Sequence, residues 1–117
     1  MQSWEERAAR GTISRAAVSG ATSGDNTLVV AAAAGIKTKV LGLYLCVAGA
    51  VNIRLESGAG GTALTGVMSF GAAGEYLIMP MAMPGYHWIE TAAATLLNME
   101  LSGAVQVSGF IVYYQEA

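Results

Sequence analysis

Charge is what this chain has least of. Six basic and eight acidic side chains serve 117 residues, so 12% of the sequence is charged, about half the share usual in a soluble domain. Five of these charges, Glu5, Glu6, Arg7, Arg10 and Arg15, fall within the first fifteen residues. The body that follows is left with few charges, yet a free monomer keeps its exposed apolar patches small and its surface charged. The expectation is that much of this surface is covered by other protein. A net charge of −2 also withholds the basic footprint that a nucleic-acid binder needs for phosphate contacts.

Long apolar runs are lacking as well. The longest, Val40 to Val51, lies between Lys39 and Asn52, and a membrane-spanning helix needs about twenty residues. Ser57 to Gly74 is uncharged but too rich in glycine to make a good helix. The alternation is too short and irregular for an outer-membrane barrel, and Met1-Gln2-Ser3-Trp4-Glu5-Glu6-Arg7 does not read as a signal peptide. No membrane partner is expected.

The residues of common enzyme chemistry are scarce. One cysteine, Cys46, allows no internal disulfide and no cysteine metal cluster, and reads as a small hydrophobe inside a strand. One histidine, His87, would have to serve any serine or cysteine triad, and no G-x-S-x-G elbow accompanies it. His87 and Glu90 are three apart in a candidate strand, which places them on opposite faces. A cupin-like jelly-roll enzyme would need a metal triad that a single histidine does not supply. Gly58-Ala59-Gly60-Gly61 lacks the P-loop lysine and a following helix, and reads as a turn. The acids of the body are scattered, with nothing in the sequence tying any two together. The chain reads as a non-enzyme with no catalytic residue, no metal, no cofactor and no small-molecule substrate.

What is present is β pattern. Residues 1–20 hold the concentrated charge, Trp4 and a possible capping box from Ser3 to Glu6; they read as an N-terminal arm that, extended, reaches roughly 66 Å. Residues 21–117 read as one domain. Leu41, Leu43, Leu45 and Val47 alternate with Gly42, Tyr44 and Cys46. After Ala48-Gly49-Ala50, Val51, Ile53 and Leu55 point inward while Asn52, Arg54 and Glu56 point out. These two runs form a candidate hairpin. Leu64, Gly66, Met68 and Phe70 share a face of the next strand, Tyr76 to Met79 is a short strand ended by Pro80, and Tyr86 to Thr91 is another candidate. Leu97, Met99 and Leu101 alternate with polar neighbours. In the last strand Val105, Val107, Ile111 and Tyr113 share one face, and Phe110, Val112 and Tyr114 the other. Thr91 to Leu97 also admits a helical turn, since alanine favours helix. Ser-Gly-Ala recurs at 19–21, 57–59 and 102–104 as turn chemistry. The pattern predicts an all-β, antiparallel β-sandwich or jelly roll of about eight strands with an extended N-terminal arm.

Two features point to a partner. The last strand is apolar on both faces, whereas the outer face of a small sandwich normally meets water; oligomerisation covers such a face. The segment Leu77 to Trp88 sets Met79, Met81 and Met83 among Pro80 and Pro84 and runs into Tyr86 and Trp88. Methionine adapts to irregular partner shapes, aromatics anchor interfaces and proline limits the entropy lost on docking. The ordinary alternative is a core-crossing connection. Trp4, Arg7, Arg10 and Arg15 of the arm, with Met79, Met81, Met83, Tyr86 and Trp88, are the candidate partner-binding residues.

The stretch Trp88-Ile89-Glu90-Thr91-Ala92, then Leu97-Asn98-Met99-Glu100-Leu101-Ser102-Gly103-Ala104-Val105-Gln106-Val107-Ser108-Gly109, resembles small structural proteins of tailed-phage virions. Ile53-Arg54-Leu55-Glu56-Ser57-Gly58 followed by Thr62-Ala63-Leu64-Thr65-Gly66 is similar to them too. The likeness covers roughly residues 40 to 115 and rests on structural residues. It implies a β-sandwich or jelly-roll protein on the capsid exterior, assembled in the host cytoplasm, that cements or decorates a shell of major capsid protein as a homotrimer. The alternative it leaves open is a trimeric receptor- or glycan-binding fibre or tail-tip head, in which Tyr and Trp stack on sugars.

Overall fold

A computed structural model describes residues 13–83 and 85–117. Ten strands make two antiparallel sheets of five: β1 (Ser14–Gly20), β2 (Gly24–Val29), β3 (Lys37–Val47), β4 (Val51–Ser57), β5 (Thr62–Ala63), β6 (Met68–Phe70), β7 (Tyr76–Met79), β8 (Ile89–Glu90), β9 (Leu97–Leu101) and β10 (Val107–Glu116). Sheet A runs β1-β10-β3-β7, with β8 also on β3. Sheet B runs β2-β9-β4-β5, with β6 also on β4. Taking β5 with β6, and β7 with β8, as single interrupted strands, this is the strand order of an eight-stranded jelly roll. No helix among the described residues is long and apolar enough to cross a membrane, and Thr91 to Leu97 is not helical: a turn at Ala93 and Ala94 leads to β9, which begins at Leu97.

The period-two alternation decides what each strand buries. Leu43, Leu45 and Val47 of β3, Val51, Ile53 and Leu55 of β4, Leu97, Met99 and Leu101 of β9, and Val107 and Ile111 of β10 meet in one core with Val18, Val29, Val40 and Phe70. Gly109 lies inside this framework opposite Leu45. A Cβ there would run into the Tyr44 carbonyl oxygen, so only glycine lets β10 and β3 lie this close.

Several expectations are corrected. β3 and β4 do not pair. β3 belongs to sheet A and β4 to sheet B, and Ala48-Gly49-Ala50 carries the chain from one sheet to the other. Alternation specifies that both strands turn an apolar face inward, and an arch between facing sheets satisfies that as well as a hairpin does. The connections β1–β2, β6–β7 and β9–β10 also cross between sheets. The register puts these three and the β3–β4 arch at one end of the sandwich, where the Ala48 amide donates to the Gln106 carbonyl (2.9 Å) and the Ser102 amide to the Asn52 carbonyl (3.0 Å), and the β2–β3 and β8–β9 crossings at the other. The run from Leu64 to Phe70 is broken between β5 and β6, although Leu64, Met68 and Phe70 all reach the core. Residues 14–20, read as arm, are strand β1, paired along its length with β10; its inward residues are small (Ala16) or few (Val18), too weak a pattern to read as strand. Tyr114 keeps the side of β10 that carries Phe110 and Val112, since the extra residue of the bulge, Leu41, is on β3, but it is buried, with the Lys39 ammonium 5.9 Å from its ring centre.

Candidate functional site

The bulge that shifts β10 also builds a platform on β3. Val112 lies opposite Gly42 and Tyr113 opposite Val40, so Leu41 has no partner on β10. On its other edge β3 pairs with β7 over residues 43–46 and with β8 over residues 39–40. The connection 80–88 loops out between these two pairings and is pinned at both ends: the Ala82 amide donates to the Leu41 carbonyl (2.8 Å) and the Trp88 amide to the Val40 carbonyl (2.9 Å). The Trp88 indole Nε1 closes the loop on itself by donating to the Pro80 carbonyl at 2.7 Å. Gly42 makes room for it, since a Cβ there would meet the Met79 carbonyl at 3.3 Å and the Met81 sulfur at 3.4 Å.

The outer face of sheet A runs up to this loop. Register rows across the sheet are Arg15–Val112–Gly42, Ala17–Phe110–Tyr44–Ile78 and Ser19–Ser108–Cys46–Tyr76. Tyr44 stands between two rings, 6.0 Å from Phe110 and 6.2 Å from Tyr76, the offset range of attractive aromatic pairs. Burial pushes the Tyr44 hydroxyl pKa up, helped by Cys46 and Tyr76, so this row stays uncharged at neutral pH. Gly42, Tyr44, Ile78, Met81, Phe110 and Val112 line a hollow of about 350 Å³. A second of about 470 Å³, under Met83, Tyr86 and Trp88, shares Pro80 and Met81 with it.

The predicted partner-binding residues divide accordingly. Met81, Met83, Tyr86 and Trp88 are exposed and converge on the second hollow. Met79 pairs with Leu43 and packs against the core, because alternation along β7 sends it inward with Leu77 while Tyr76 and Ile78 point out. Arg15 is exposed on β1, at the margin of the face. Trp4, Arg7 and Arg10 lie outside the described residues. Tyr44, Tyr76 and Ile78 complete the surface and were missed; the alternation Tyr76-Leu77-Ile78-Met79 carried the signal, but only pairing with β3 shows which side is outward.

The opposite outer face, on sheet B, is polar. Asp25, Glu56 and Glu100 bring carboxylate oxygens within 4.8 Å of one another, which corrects the expectation that no two acids are tied together. Glu56, expected to point into water, is outward on its strand but fully buried. The Arg54 guanidinium bridges Glu56 and Glu100, the latter at 2.9 Å, and the Asn98 amide donates at 2.8 Å to both Glu56 and Asp25. Burial opposes ionisation of Glu56, but hydrogen bonds with Glu100, Asn98 and Arg54 and the guanidinium charge outweigh it, and its pKa is lowered. Glu100 is raised by its hydrogen bond to Glu56 and by the charge of that carboxylate. One guanidinium serves three carboxylates, so the cluster is a partly compensated network in which Glu56 and Glu100 still repel each other. His87 and Glu90 are also closer than expected, with Nε2 to Oε2 at 3.4 Å: β8 covers only residues 89–90, so strand alternation does not govern His87.

No family model, curated protein or solved structure matches the chain.

Proposed function

We propose that this protein is a structural subunit of a tailed-phage virion, a cement or decoration protein that binds the outside of a shell of major capsid protein as a homotrimer. The observation that carries this reading is the asymmetry of the sandwich. Sheet B turns a carboxylate–guanidinium network outward, whereas the centre of sheet A and the 80–88 loop turn out an apolar surface, with Arg15 at its β1 margin and the Lys37–Glu90 and Lys39–Glu116 ion pairs at the β8 end of the sheet. Such a surface is suited to assembly, and the sequence resemblance to virion structural proteins supplies the setting. In this reading the tip of the loop, with Met83, Tyr86 and Trp88, contacts the shell, together with Trp4, Arg7, Arg10 and Arg15. Binding only the assembled shell stabilises it by mass action.

The test is the copy number per purified virion, measured against the major capsid protein by quantitative mass spectrometry. A ratio near one supports a lattice-wide cement. A few copies would move the protein to a vertex or fibre and favour the receptor-binding alternative. Particles stripped of the protein should rupture at lower temperature and milder osmotic shock; equal resistance would end the cement reading.

A further inference from the structure

We propose that the centre of the sheet A outer face, the rows around Phe110–Tyr44–Ile78, is covered by a second copy of this chain. The inference goes beyond the homotrimer reading: two identical faces that meet each other close as a two-fold pair, a contact additional to the trimer's own, and it rests on that reading for its biological setting. Three observations carry it. The first is area. Tyr76 (61% exposed), Ile78 (55%), Met81 (52%) and Phe110 (45%), with Ala17 and the smaller exposed parts of Tyr44 and Val112, present about 550 Å² of side chain per copy. Burying it on two copies removes more than about 1,000 Å², the floor for a specific interface.

The second is chemistry. The three register rows hold one charged side chain, Arg15 at the β1 margin. Electrostatic complementarity is what gives recognition of a different protein its specificity and register, and this face offers almost nothing for it to act on. Interfaces between identical chains are the more apolar class, with charge depleted at their core. A second copy meets such a face with the same uncharged surface and buries no unpaired charge.

The third is position. Both apolar hollows lie on the sheet A side of the sandwich, and the smaller hollow on sheet B is lined by Asn52, Arg54 and Glu100. The self-contact therefore takes the middle of sheet A and leaves the loop tip, with Met83 and Trp88, for another partner.

Analytical ultracentrifugation of the purified full chain tests this, with Ile78→Lys and Phe110→Lys as face variants and Val67→Lys, exposed beside the sheet B hollow, as control. The wild type and Val67→Lys should associate equally, and each face variant should weaken association at least tenfold. A monomeric wild type at high micromolar concentration, or face variants that associate like the wild type, would overturn the proposal. Should a lysine variant fail to fold, hydroxyl-radical footprinting of the wild type replaces it: Tyr76 and Phe110 should gain reactivity on dilution, and unchanged reactivity overturns the proposal. A solution monomer that still decorates virions in high copy number would end self-association and leave the shell reading standing; an oligomer absent from virions would do the reverse.

Discussion

Arg54 holds two carboxylates at once, so the stability of sheet B follows the protonation of both. Glu56 is lowered in the fold; its contribution is present above the unfolded carboxylate range and is lost as pH falls through its folded value. Glu100 is raised; its protonated form suits the fold, and that contribution is lost as pH rises from the unfolded range through its folded value. Replacing Arg54 by Met leaves Glu56 buried without its cation. The melting temperature of Arg54→Met should therefore fall more at pH 7 than at pH 4, where Glu56 can take up a proton; an equal fall at both would show that the guanidinium acts through packing alone. Glu100→Gln should flatten the decline of stability with pH above the usual carboxylate range, because it keeps a polar group beside Glu56 and removes the like charge. Gly109→Ala should cost about 3 kcal/mol or more in chemical denaturation, the scale of overpacking between rigid backbones. A loss below 1 kcal/mol, on the order of an ordinary helix or strand propensity change, would mean that β10 can move away from Tyr44.

At the scale of elements, the 80–88 connection is fastened to the sheet by few bonds. Its ends are fastened to adjacent carbonyls of β3, and its fold-back depends on the Trp88 indole reaching Pro80. Trp88→Phe keeps an aromatic ring and removes that donor. We expect about 1 kcal/mol of lost stability, one net hydrogen bond, with a rise in proteolysis confined to the loop. Unchanged proteolysis would show that the two backbone bonds hold it without the indole. The crossings between sheets are a second kind of element. Ser-Gly-Ala opens the arches after β1 and β9, yet the same triplet at Ser57-Gly58-Ala59 joins β4 to β5 within one sheet. Small residues permit a tight reversal in either sense, and the facing sheets choose between them.

For the whole molecule, the apolar centre of sheet A sets how it associates. Contacts made through sheet A are apolar, so self-association should change little between low and high salt, where charge pairs are screened, and should weaken on cooling. Sedimentation across a salt series and at two temperatures checks both. A steep loss with salt would move the contact away from the apolar centre, to sheet B or to the ion pairs at the β8 end of sheet A. At this scale the scarcity of charge, visible in the composition, becomes a located property: sheet B keeps an Arg54–Glu56–Glu100 network, sheet A keeps the Lys37–Glu90 and Lys39–Glu116 pairs at its β8 end, and the centre of sheet A is left to aromatics and methionine.

The sequence by itself determined the all-β class, the strands β3, β4, β7 and β9 close to their ends, the inward set from Leu43 to Leu101, and the prominence of Met81, Met83, Tyr86 and Trp88. These follow from period-two alternation and from proline and glycine, which act within a few residues. Only the tertiary structure decided that β3 and β4 face each other, that residues 14–20 are a strand, that Met79 turns inward, that Tyr44, Tyr76 and Ile78 share a surface with Phe110, and that three distant acids meet around Arg54. Each depends on which strand lies beside which. Alternation states that a residue faces in or out, while the pairing of strands far apart in the chain sets its neighbours.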